Sequence, residues 1–287
     1  MAAENNQKRL PPWLKRRLPA GGSFNNTSST IHQLGIETIC TNANCPNQGH
    51  CWSHGTATVL ILGNTCTRNC KFCSVAKGKP LPPDKTEPQR VAEFAKELKI
   101  KYLVITSVTR DDLVDGGASQ FRDVINEVRK MNHDIQFELL VPDFKRCQST
   151  ALDVLAEALP FVLGHNLETV PRLYTIARSG ADYRASLNLL KEAKNKWPDI
   201  QTKSSIMLGL GETDDEIKQV LTDLRKINCD RIAIGQYLKP SKTSLAVVEY
   251  IHPDKFAYWA EIAKELGFAW VMSSPFTRSS YNAHVKV

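Results

Sequence analysis

The sequence predicts an α/β fold: a partial (β/α)6 barrel of the TIM type, with an N-terminal cysteine-loop extension and a C-terminal tail. From residue 56 onward, short apolar segments of β type alternate with segments whose apolar residues recur at helical spacing. This alternation is typical of βα units around a parallel sheet. The chain holds about six and a half such units, whereas a closed barrel of this type needs eight. We therefore expect a curled sheet that stays open.

The individual elements follow from the same patterns. Seven strands are predicted, at Val59 to Leu62, Tyr102 to Ser107, Ile135 to Val141, Phe161 to Gly164, Ser205 to Leu210, Arg231 to Gln236 and Phe268 to Met272. Four helices with apolar residues at i, i+3, i+4 and i+7 have stripes that begin at Val91, Phe121, Leu152 and Ile217. Capping-box sequences at Thr86 to Gln89 and Thr213 to Glu216 predict two helix starts.

The chain divides into three predicted parts. Residues 1–55 form an N-terminal arm and a cysteine loop, residues 56–272 form the barrel, and residues 273–287 form a tail. Within the arm, residues 1 to about 30 contain three prolines and a polar stretch from Gly21 to Thr30. These features predict an extended, flexible segment.

Composition excludes several classes of protein. The chain has 287 residues, 42 % of them hydrophobic, and a net charge of +7. No apolar run exceeds five residues, whereas a membrane-spanning helix needs about 20, and the amino terminus lacks the apolar stretch of a secretory signal. We expect a monomer in the cytoplasm, or in the mitochondrial or plastid matrix of a eukaryote. The positive charge favours an acidic partner, and without a nucleic-acid-binding signature we expect neither nucleic acid nor membrane as a partner.

Three thiols lie in one short loop directly after the first strand, at Cys66, Cys70 and Cys73. A structural zinc site has four ligands, and an electron-carrying 4Fe-4S cluster normally has four thiolates. A loop with three thiols therefore leaves one iron of a cluster open to a small molecule. A zinc loop or disulfide cysteines would explain neither the spacing nor the position after a strand.

A second triad, Cys40, Cys45 and Cys51, precedes the barrel and is also one ligand short of a closed site. Three histidines could supply nitrogen, although a histidine beside a cysteine loop is more often a hydrogen-bonding or surface residue. They are His32, His50 and His54. Cys147 and Cys229 stand alone and are expected to be inert thiols.

The predicted strands and the turns after them carry polar residues toward their carboxyl ends, where barrels of this kind hold their chemistry. We expect several of them to line one pocket and contact a cofactor. They are Thr106, Ser107, Glu138, Asn166, Glu168 and Gly209. The Gly209-Leu-Gly211 step lacks the further residues of a dinucleotide-binding or P-loop fingerprint.

The Cys66 to Cys73 loop resembles the radical S-adenosylmethionine (SAM) superfamily, and from Leu10 to Tyr281 the chain resembles the lipoyl synthase family. Pairing of the two cysteine triads with a C-terminal Arg-Ser-Ser-Tyr is the specific part of this resemblance. The other matching stretches are Val104 to Asp112, Asp115 to Ala118, Val141 to Phe144, His165 to Thr169, Gly209 to Thr213 and Gly235 to Leu238.

The resemblance implies radical insertion of two sulfur atoms, at C6 and C8 of an octanoyl group amide-linked to a carrier-protein lysine. A 4Fe-4S cluster on Cys66, Cys70 and Cys73 would cleave SAM. A second 4Fe-4S cluster on Cys40, Cys45 and Cys51 would be completed by a serine of Arg278-Ser-Ser-Tyr281 and would donate the sulfur. Of Ser279 and Ser280 we favour Ser280. Implied partners are the E2 subunits of 2-oxoacid dehydrogenases, the glycine cleavage H protein, an electron donor such as ferredoxin or flavodoxin, and a cluster-repair protein.

Four residues depart from the family pattern that we expect: Thr109, Ser205, Ser274 and Phe276. They lie near the predicted pocket and bear on substrate details more than on reaction type. Two alternatives stay open at this point. One is another sulfur-inserting radical SAM enzyme, similar to biotin synthase or to methylthiotransferases; the other is a non-catalytic two-cluster electron carrier, which would not consume SAM.

Overall fold

The main sheet of the computed structural model, which describes residues 10–15 and 22–285, has seven parallel strands in the order β1-β4-β5-β6-β7-β8-β9. In chain order the strands are β1 (Val59–Ile61), β2 (Thr65–Cys66), β3 (Ala76–Lys77), β4 (Tyr102–Ser107), β5 (Gln136–Leu140), β6 (Val162–Gly164), β7 (Thr202–Leu208), β8 (Arg231–Gln236) and β9 (Trp270–Ser273). The short strands β2 and β3 pair with each other beside the sheet. Strands β1 and β9 are its edges, so the predicted open (β/α)6 barrel is confirmed.

One main crossover helix follows each of the first six strands of the sheet. The α-helices are α1 (Gly22–Gln33), α2 (Ile39–Asn42), α3 (Gln48–Ser53), α4 (Glu87–Glu97), α5 (Ala118–Met131), α6 (Gln148–Ala156), α7 (Tyr174–Ala177), α8 (Tyr183–Lys196), α9 (Asp214–Lys226) and α10 (Pro253–Glu265). The apolar core lies between the sheet and these helices. Over residues 10–15 and 22–285, no helix has both the length and the apolar character that crossing a bilayer requires.

Strand β7 starts three residues earlier than predicted, at Thr202. Its first four residues are polar, yet all four are buried; the Lys203 ammonium, for example, pairs with Glu138 of β5. Helix α8 also has no counterpart in the prediction. Its buried stripe begins with Ser186, whose hydroxyl accepts a hydrogen bond from Arg178, and this serine interrupts the apolar spacing.

The prediction of an extended arm is wrong for residues 22–30, which belong to α1. Thr27 is buried and donates a hydrogen bond from Oγ1 to the carbonyl of Trp52, at 2.9 Å. Packing against α3 thus stabilises a polar segment whose composition alone does not predict a helix. Residues 1–9 and 16–21, including Pro19 and Gly21, lie outside the described residues.

Of the two predicted capping boxes, one is confirmed. At α9 the Thr213 hydroxyl accepts from the Glu216 amide while the Glu216 carboxylate accepts from the Thr213 amide. At α4 the prediction is wrong, because Asp84 Oδ1 accepts from both the amide and the hydroxyl of Thr86, each at 2.8 Å. The threonine hydroxyl is therefore engaged with residue 84.

Candidate iron-sulfur and cofactor site

A cavity with a volume of about 370 Å³ lies at the carboxyl ends of the strands, the rim at which chemistry is expected. Its wall consists of the cysteine loop that follows β1, the ends of several strands and the C-terminal tail. Cys66, Cys70 and Cys73 all line it, and so does Cys45 from the loop that precedes the sheet. The structure describes all eight cysteines, and none of them forms a disulfide bond. The cavity thus gathers soft sulfur donors from two separate loops.

Backbone amides and burial shape the environment of the thiols in the Cys66 to Cys73 loop. The Sγ atom of Cys66 accepts hydrogen bonds from the amides of Arg68, at 3.4 Å, and Thr109, at 3.3 Å. Such amide contacts to sulfur tune iron-sulfur clusters. Burial raises the pKa of the Cys70 thiol to about 11, against the nearby positive charge of Arg178. Binding of a metal cluster therefore has to displace the thiol protons.

An ion-pair network fixes the loop. Arg68 is buried and donates to Asp111 Oδ1 at 2.7 Å and to Asp143 Oδ2 at 2.6 Å. The Thr67 hydroxyl donates to the Thr109 carbonyl at 3.0 Å. The loop is therefore held by residues that follow β4 and β5, the next two strands of the sheet after β1. These contacts give Asp111, in the stretch after β4, a structural role.

The residues present fit a three-thiolate iron-sulfur cluster and a polar small molecule beside it. Among residues 10–15 and 22–285, no three His, Cys, Asp or Glu side chains lie close enough together to hold a single metal ion. The three thiols nevertheless share one cavity wall, as ligands of a multi-iron cluster can. The buried hydroxyl of Ser107, also in that wall, has no hydrogen-bond partner in the described part of the chain, and a buried polar group of this kind normally has one.

The structure brings four of the predicted cofactor-contacting residues to this cavity: Thr106, Ser107, Asn166 and Glu168. The Thr106 hydroxyl donates to the Leu140 carbonyl at 2.8 Å, which commits it to the sheet. Asn166 Nδ2 donates to Glu168 Oε1 at 3.0 Å. Burial raises the pKa of Glu168, while the charges of two arginines and the Asn166 amide oppose the rise.

Two predicted cofactor contacts need correction. Glu138 is fully buried in an ion pair with Lys203 Nζ, at 2.8 Å, and accepts from the Tyr102 hydroxyl at 2.9 Å; its side chain is a core group and does not line the cavity. Gly209 has a φ of +104°, and a Cβ there would overlap Gln236 and Glu249. The backbone conformation at this position requires glycine. Gly209 is also not among the residues that line the cavity.

Sequence reasoning missed Arg178, which follows α7. Its guanidinium is buried in the cavity wall and donates to the Tyr174 hydroxyl at 3.0 Å and to Ser186 Oγ at 3.1 Å. Its positive charge acts on both Cys70 and Glu168. No spacing or motif in the sequence indicates this role, because Cys70, on which the Arg178 charge acts, belongs to a distant segment of the chain.

The second cysteine triad lies on and around α2 and α3. Cys40 is buried, and burial together with the neighbouring Cys45 raises the pKa of its thiol to about 11. Cys45 donates its amide to the Cys40 carbonyl at 2.9 Å. Cys51 is half-buried at the end of α3. The three cysteines belong to one short segment, of which Cys45 reaches the cavity.

The three histidines near this triad have other surroundings. The rings of His50 and His54 lie 4.5 Å apart, and the Nδ1 of His54 is 2.7 Å from the His50 carbonyl oxygen. His50 also faces the ring of Tyr281 at 5.7 Å. His32 is exposed in the last turn of α1.

The tail passes between the cysteine-loop segment and the barrel rim. Asn47 Nδ2 donates to the Phe276 carbonyl at 2.7 Å, and Ser279 Oγ donates to Asn166 Oδ1 at 2.9 Å. Ser279 and Ser280 both line the cavity. The tail therefore contacts the second cysteine segment through Phe276 and Tyr281, and the barrel rim through Ser279.

Comparison with family models gives two matches. The model of the radical SAM superfamily matches residues 60–224. The model described as the N-terminal domain of lipoyl synthase matches residues 1–45. Together they cover the barrel from β1 to α9 and the beginning of the second triad.

Solved structures share the fold at low sequence identity. Streptococcus suis SuiB bound to S-adenosylmethionine matches with a TM-score of 0.59 and 12 % identity, covering 75 % of this chain and 49 % of that one. Methylornithine synthase matches with a TM-score of 0.56 and 12 % identity, covering 94 % and 89 %. At this identity the likeness shows the fold alone.

Curated relatives named lipoyl synthase match almost the whole chain. The one from Pseudoalteromonas translucida is 50 % identical over 281 residues, which cover 98 % of this chain and 88 % of the relative. The one from Caldicellulosiruptor saccharolyticus is 50 % identical over 277 residues, covering 96 % and 97 %. The one from Chromobacterium violaceum is 49 % identical over 276 residues, covering 96 % and 88 %. With the two cysteine triads and the open barrel, these relatives show that the chain belongs to the lipoyl synthase family of the radical SAM superfamily.

Proposed function

We propose that this lipoyl synthase inserts sulfur at C6 and C8 of an octanoyl group carried on a lysine of a partner protein. Membership of the radical SAM superfamily implies one 4Fe-4S cluster and SAM. The observation that carries the proposal is one shared cavity, lined by the Cys66 to Cys73 thiols, by Cys45 and by the tail serines. Donors for two clusters thus face the same space in which a substrate chain can lie.

Cys66, Cys70 and Cys73 would hold the cluster that acts on SAM. When bound, such a cluster supplies the electron that cleaves SAM to a carbon radical, which can abstract hydrogen from an unactivated C–H bond. The chain contributes binding and orientation. Asn166 and Glu168 offer an amide and a carboxylate to the polar groups of SAM, and the Arg178 charge balances Glu168.

We further propose that Cys40, Cys45, Cys51 and Ser280 hold a second 4Fe-4S cluster, and that its sulfide is the sulfur source. The Ser279 hydroxyl is engaged with Asn166, while the neighbouring Ser280 lines the cavity with Cys45. This supports Ser280 as the fourth ligand. A serine oxygen is a less well matched ligand for cluster iron than a thiolate, because iron-sulfur clusters favour soft donors. Such a ligand fits an iron that must leave.

These roles assign a task to each part of the chain. We propose that residues 1–55 carry the sulfur-donating cluster, residues 56–272 bind SAM and the first cluster, and residues 273–287 close the second cluster. The tail would also exclude water from the reacting atoms.

The octanoyl chain would lie along the apolar wall of the cavity. This wall includes Leu60, Val108, Leu140, Met207 and Tyr237. Burial contributes about 0.8 kcal/mol per methylene group, so a seven-carbon stem beyond the carbonyl gains a substantial part of its binding energy here.

The partners would be octanoylated carrier domains of 2-oxoacid dehydrogenase E2 subunits and of the glycine cleavage H protein. Lys77 and Lys239 line the same cavity and suit an acidic carrier surface, in keeping with the net charge of +7. A ferredoxin or flavodoxin would supply electrons, a repair protein would rebuild the second cluster, and the chain would act as a monomer.

The test uses anaerobically reconstituted protein in which only cluster sulfide carries a heavy sulfur isotope. We expect about eight irons per chain, as two 4Fe-4S clusters require, and labelled sulfur in the carrier-bound product by mass spectrometry. We also expect about one product per chain without a repair system. Four irons per chain, unlabelled product or many unaided turnovers would contradict the proposal. A chain that consumed no SAM would instead be an electron carrier.

A further inference from the structure

The C-terminal tail is hydrogen-bonded into the cofactor cavity through Ser279. Its side chain is buried, and Oγ donates to Asn166 Oδ1 at 2.9 Å. The other end of the same amide, Nδ2, donates to Glu168 Oε1 at 3.0 Å. A short chain of hydrogen bonds therefore runs from the tail to the half-buried carboxylate of Glu168 in the cavity wall.

This chain fixes the orientation of the Asn166 amide. Because the serine hydroxyl occupies the amide oxygen, the amide nitrogen is directed toward Glu168. Glu168 itself adopts a φ of 67°, a left-handed conformation that a side-chain-bearing residue seldom takes without support from its surroundings. The backbone at Glu168 is held by hydrogen bonds with Ser205 and Met207 of β7, at 3.0 and 2.8 Å. The polar end of the cavity is thus rigid on the β7 side and depends on Ser279 on the tail side.

The tail contributes charge to the same carboxylate. The positive charge of Arg278, next to Ser279, acts on Glu168. When the tail is in place, Asn166 and Glu168 therefore receive one hydrogen bond and one favourable charge from adjacent tail residues. Movement of the tail removes both together.

The seat of the tail is close-packed. The backbone amide of Gln236 donates to the Pro275 carbonyl at 3.2 Å, and Asn47 Nδ2 donates to the Phe276 carbonyl. At Gly235 of β8 the Thr277 carbonyl approaches so closely that a Cβ would overlap it. Contacts this tight favour a tail that is either seated or released, with few intermediate positions.

We propose that Ser279 is a positioning residue that couples the seating of the tail to the binding of SAM, through Asn166 and Glu168. The proposal rests on the proposed function, in which the neighbouring Ser280 ligates the sulfur-donating cluster. SAM binding and tail seating then favour each other, since coupling between two binding events is reciprocal. The cavity therefore binds SAM best when the tail is seated, and the seated tail also places Ser280 to hold the second cluster.

The test compares Ser279→Ala with the wild type in protein reconstituted with iron and sulfide, without reductant, so that SAM binds and is not cleaved. We expect SAM to bind about 3- to 10-fold more weakly to Ser279→Ala, the range that loss of one hydrogen bond gives. Iron content stays at the wild-type value. Ser279→Thr, which keeps the hydroxyl, restores most of the affinity.

Hydrogen exchange gives a second readout that a loss of folding would not mimic. In the wild type, SAM should slow amide exchange in residues 276–285. In Ser279→Ala this SAM-dependent protection should disappear. The matched control is His284→Ala in the same segment, because His284 is exposed and lies outside the cavity; it should retain both the affinity and the protection.

Two results would overturn the proposal. Wild-type affinity for SAM together with wild-type tail protection in Ser279→Ala would show that no coupling passes through this hydroxyl. Loss of iron in Ser279→Ala would make Ser279 a cluster ligand instead of a positioning residue. Failure of the sulfur-label experiment would leave both readouts unchanged, so failure of this proposal and failure of the proposed function can be told apart.

Discussion

Lys203 Nζ lies 2.8 Å from Glu138 Oε1, and both side chains are sealed from solvent inside the barrel. The Lys203 ammonium also lies 4.6 Å from the centre of the Trp270 ring. Burial lowers the pKa of Lys203, and the Glu138 carboxylate opposes this shift. The pair joins β5 to β7 within the barrel interior, where a charge without its partner would be costly.

Glu138→Gln should therefore lower the free energy of unfolding by about 3–5 kcal/mol, because it leaves the lysine charge buried without a counter-charge. Urea denaturation followed by circular dichroism measures this change. The double variant Glu138→Leu/Lys203→Met should regain most of the loss. Glu127→Gln, which breaks the solvent-exposed Lys130 pair on α5, is the control and should leave the free energy of unfolding nearly unchanged. Equal effects of Glu138→Gln and Glu127→Gln would contradict a buried ion pair.

Alanine at Cys66, Cys70 or Cys73 should abolish formation of deoxyadenosine from SAM, because these thiols would hold the cluster with an open iron. Alanine at a member of the second triad should instead allow SAM cleavage and prevent sulfur transfer. Chromatography of the nucleoside and mass spectrometry of the carrier distinguish the two outcomes. Cys147→Ala serves as the control with both activities retained. If the two sets of variants lost cleavage equally while remaining folded, the division of roles would be wrong.

His165 should make the protein sensitive to mild acid. Burial lowers the pKa of His165 to about 4, and the Arg178 charge adds to this effect while Asp143 opposes it. Because the folded pKa is below the unfolded value of about 6.5, the unfolded state binds the proton first. The stabilising contribution is complete above pH 6.5 and is lost as the pH falls toward 4, with a slope of up to about 1.4 kcal/mol per pH unit.

The measurement for His165 is the free energy of unfolding across that pH range. His165→Asn should have a flatter slope than the wild type between pH 6.5 and 4, whereas His133→Asn, at an exposed position, should retain the wild-type slope. Identical slopes for His165→Asn and wild type would show that other groups cause the acid sensitivity.

Lys77→Glu and Lys239→Glu should lower kcat/KM for an octanoylated carrier domain by roughly 10-fold or more, since reversing charge slows electrostatically steered association. The same variants should act normally on a short, uncharged octanoyl-lysine peptide. Added salt should weaken the wild-type preference for the carrier. Lys191→Glu, at an exposed position on α8, is the control. Equal losses with peptide and carrier would place these lysines in catalysis and remove them from docking.

The features that the sequence predicts well are those encoded locally. Strand β4 is predicted with its observed bounds, because one continuous apolar run specifies it, and the loop from Cys66 to Cys73 is recognised from spacing alone. The third predicted strand carries Glu138, for which the sequence predicts a cofactor contact, but its partner is a lysine 65 residues further along the chain. Helix α1 is similar, since its buried Thr27 donates a hydrogen bond to Trp52 of α3. Pairings between distant segments leave no periodic trace in a single sequence, and this is where the predictions failed.

Gly235 has a consequence for the tolerance of the protein to oxygen. The residue lies within β8 and has no side chain to offer to a cofactor, yet a single methyl group there would displace the Thr277 carbonyl from its place on the strand. A displaced tail would leave the cavity side of the cysteine loops open to the solution, and access of solvent governs the chemistry of a buried metal centre. Alanine at this position would therefore shorten the lifetime of the proposed clusters in air. The absence of a β-carbon at Gly235 thus connects the packing of the tail on the sheet to the stability of the proposed clusters in air.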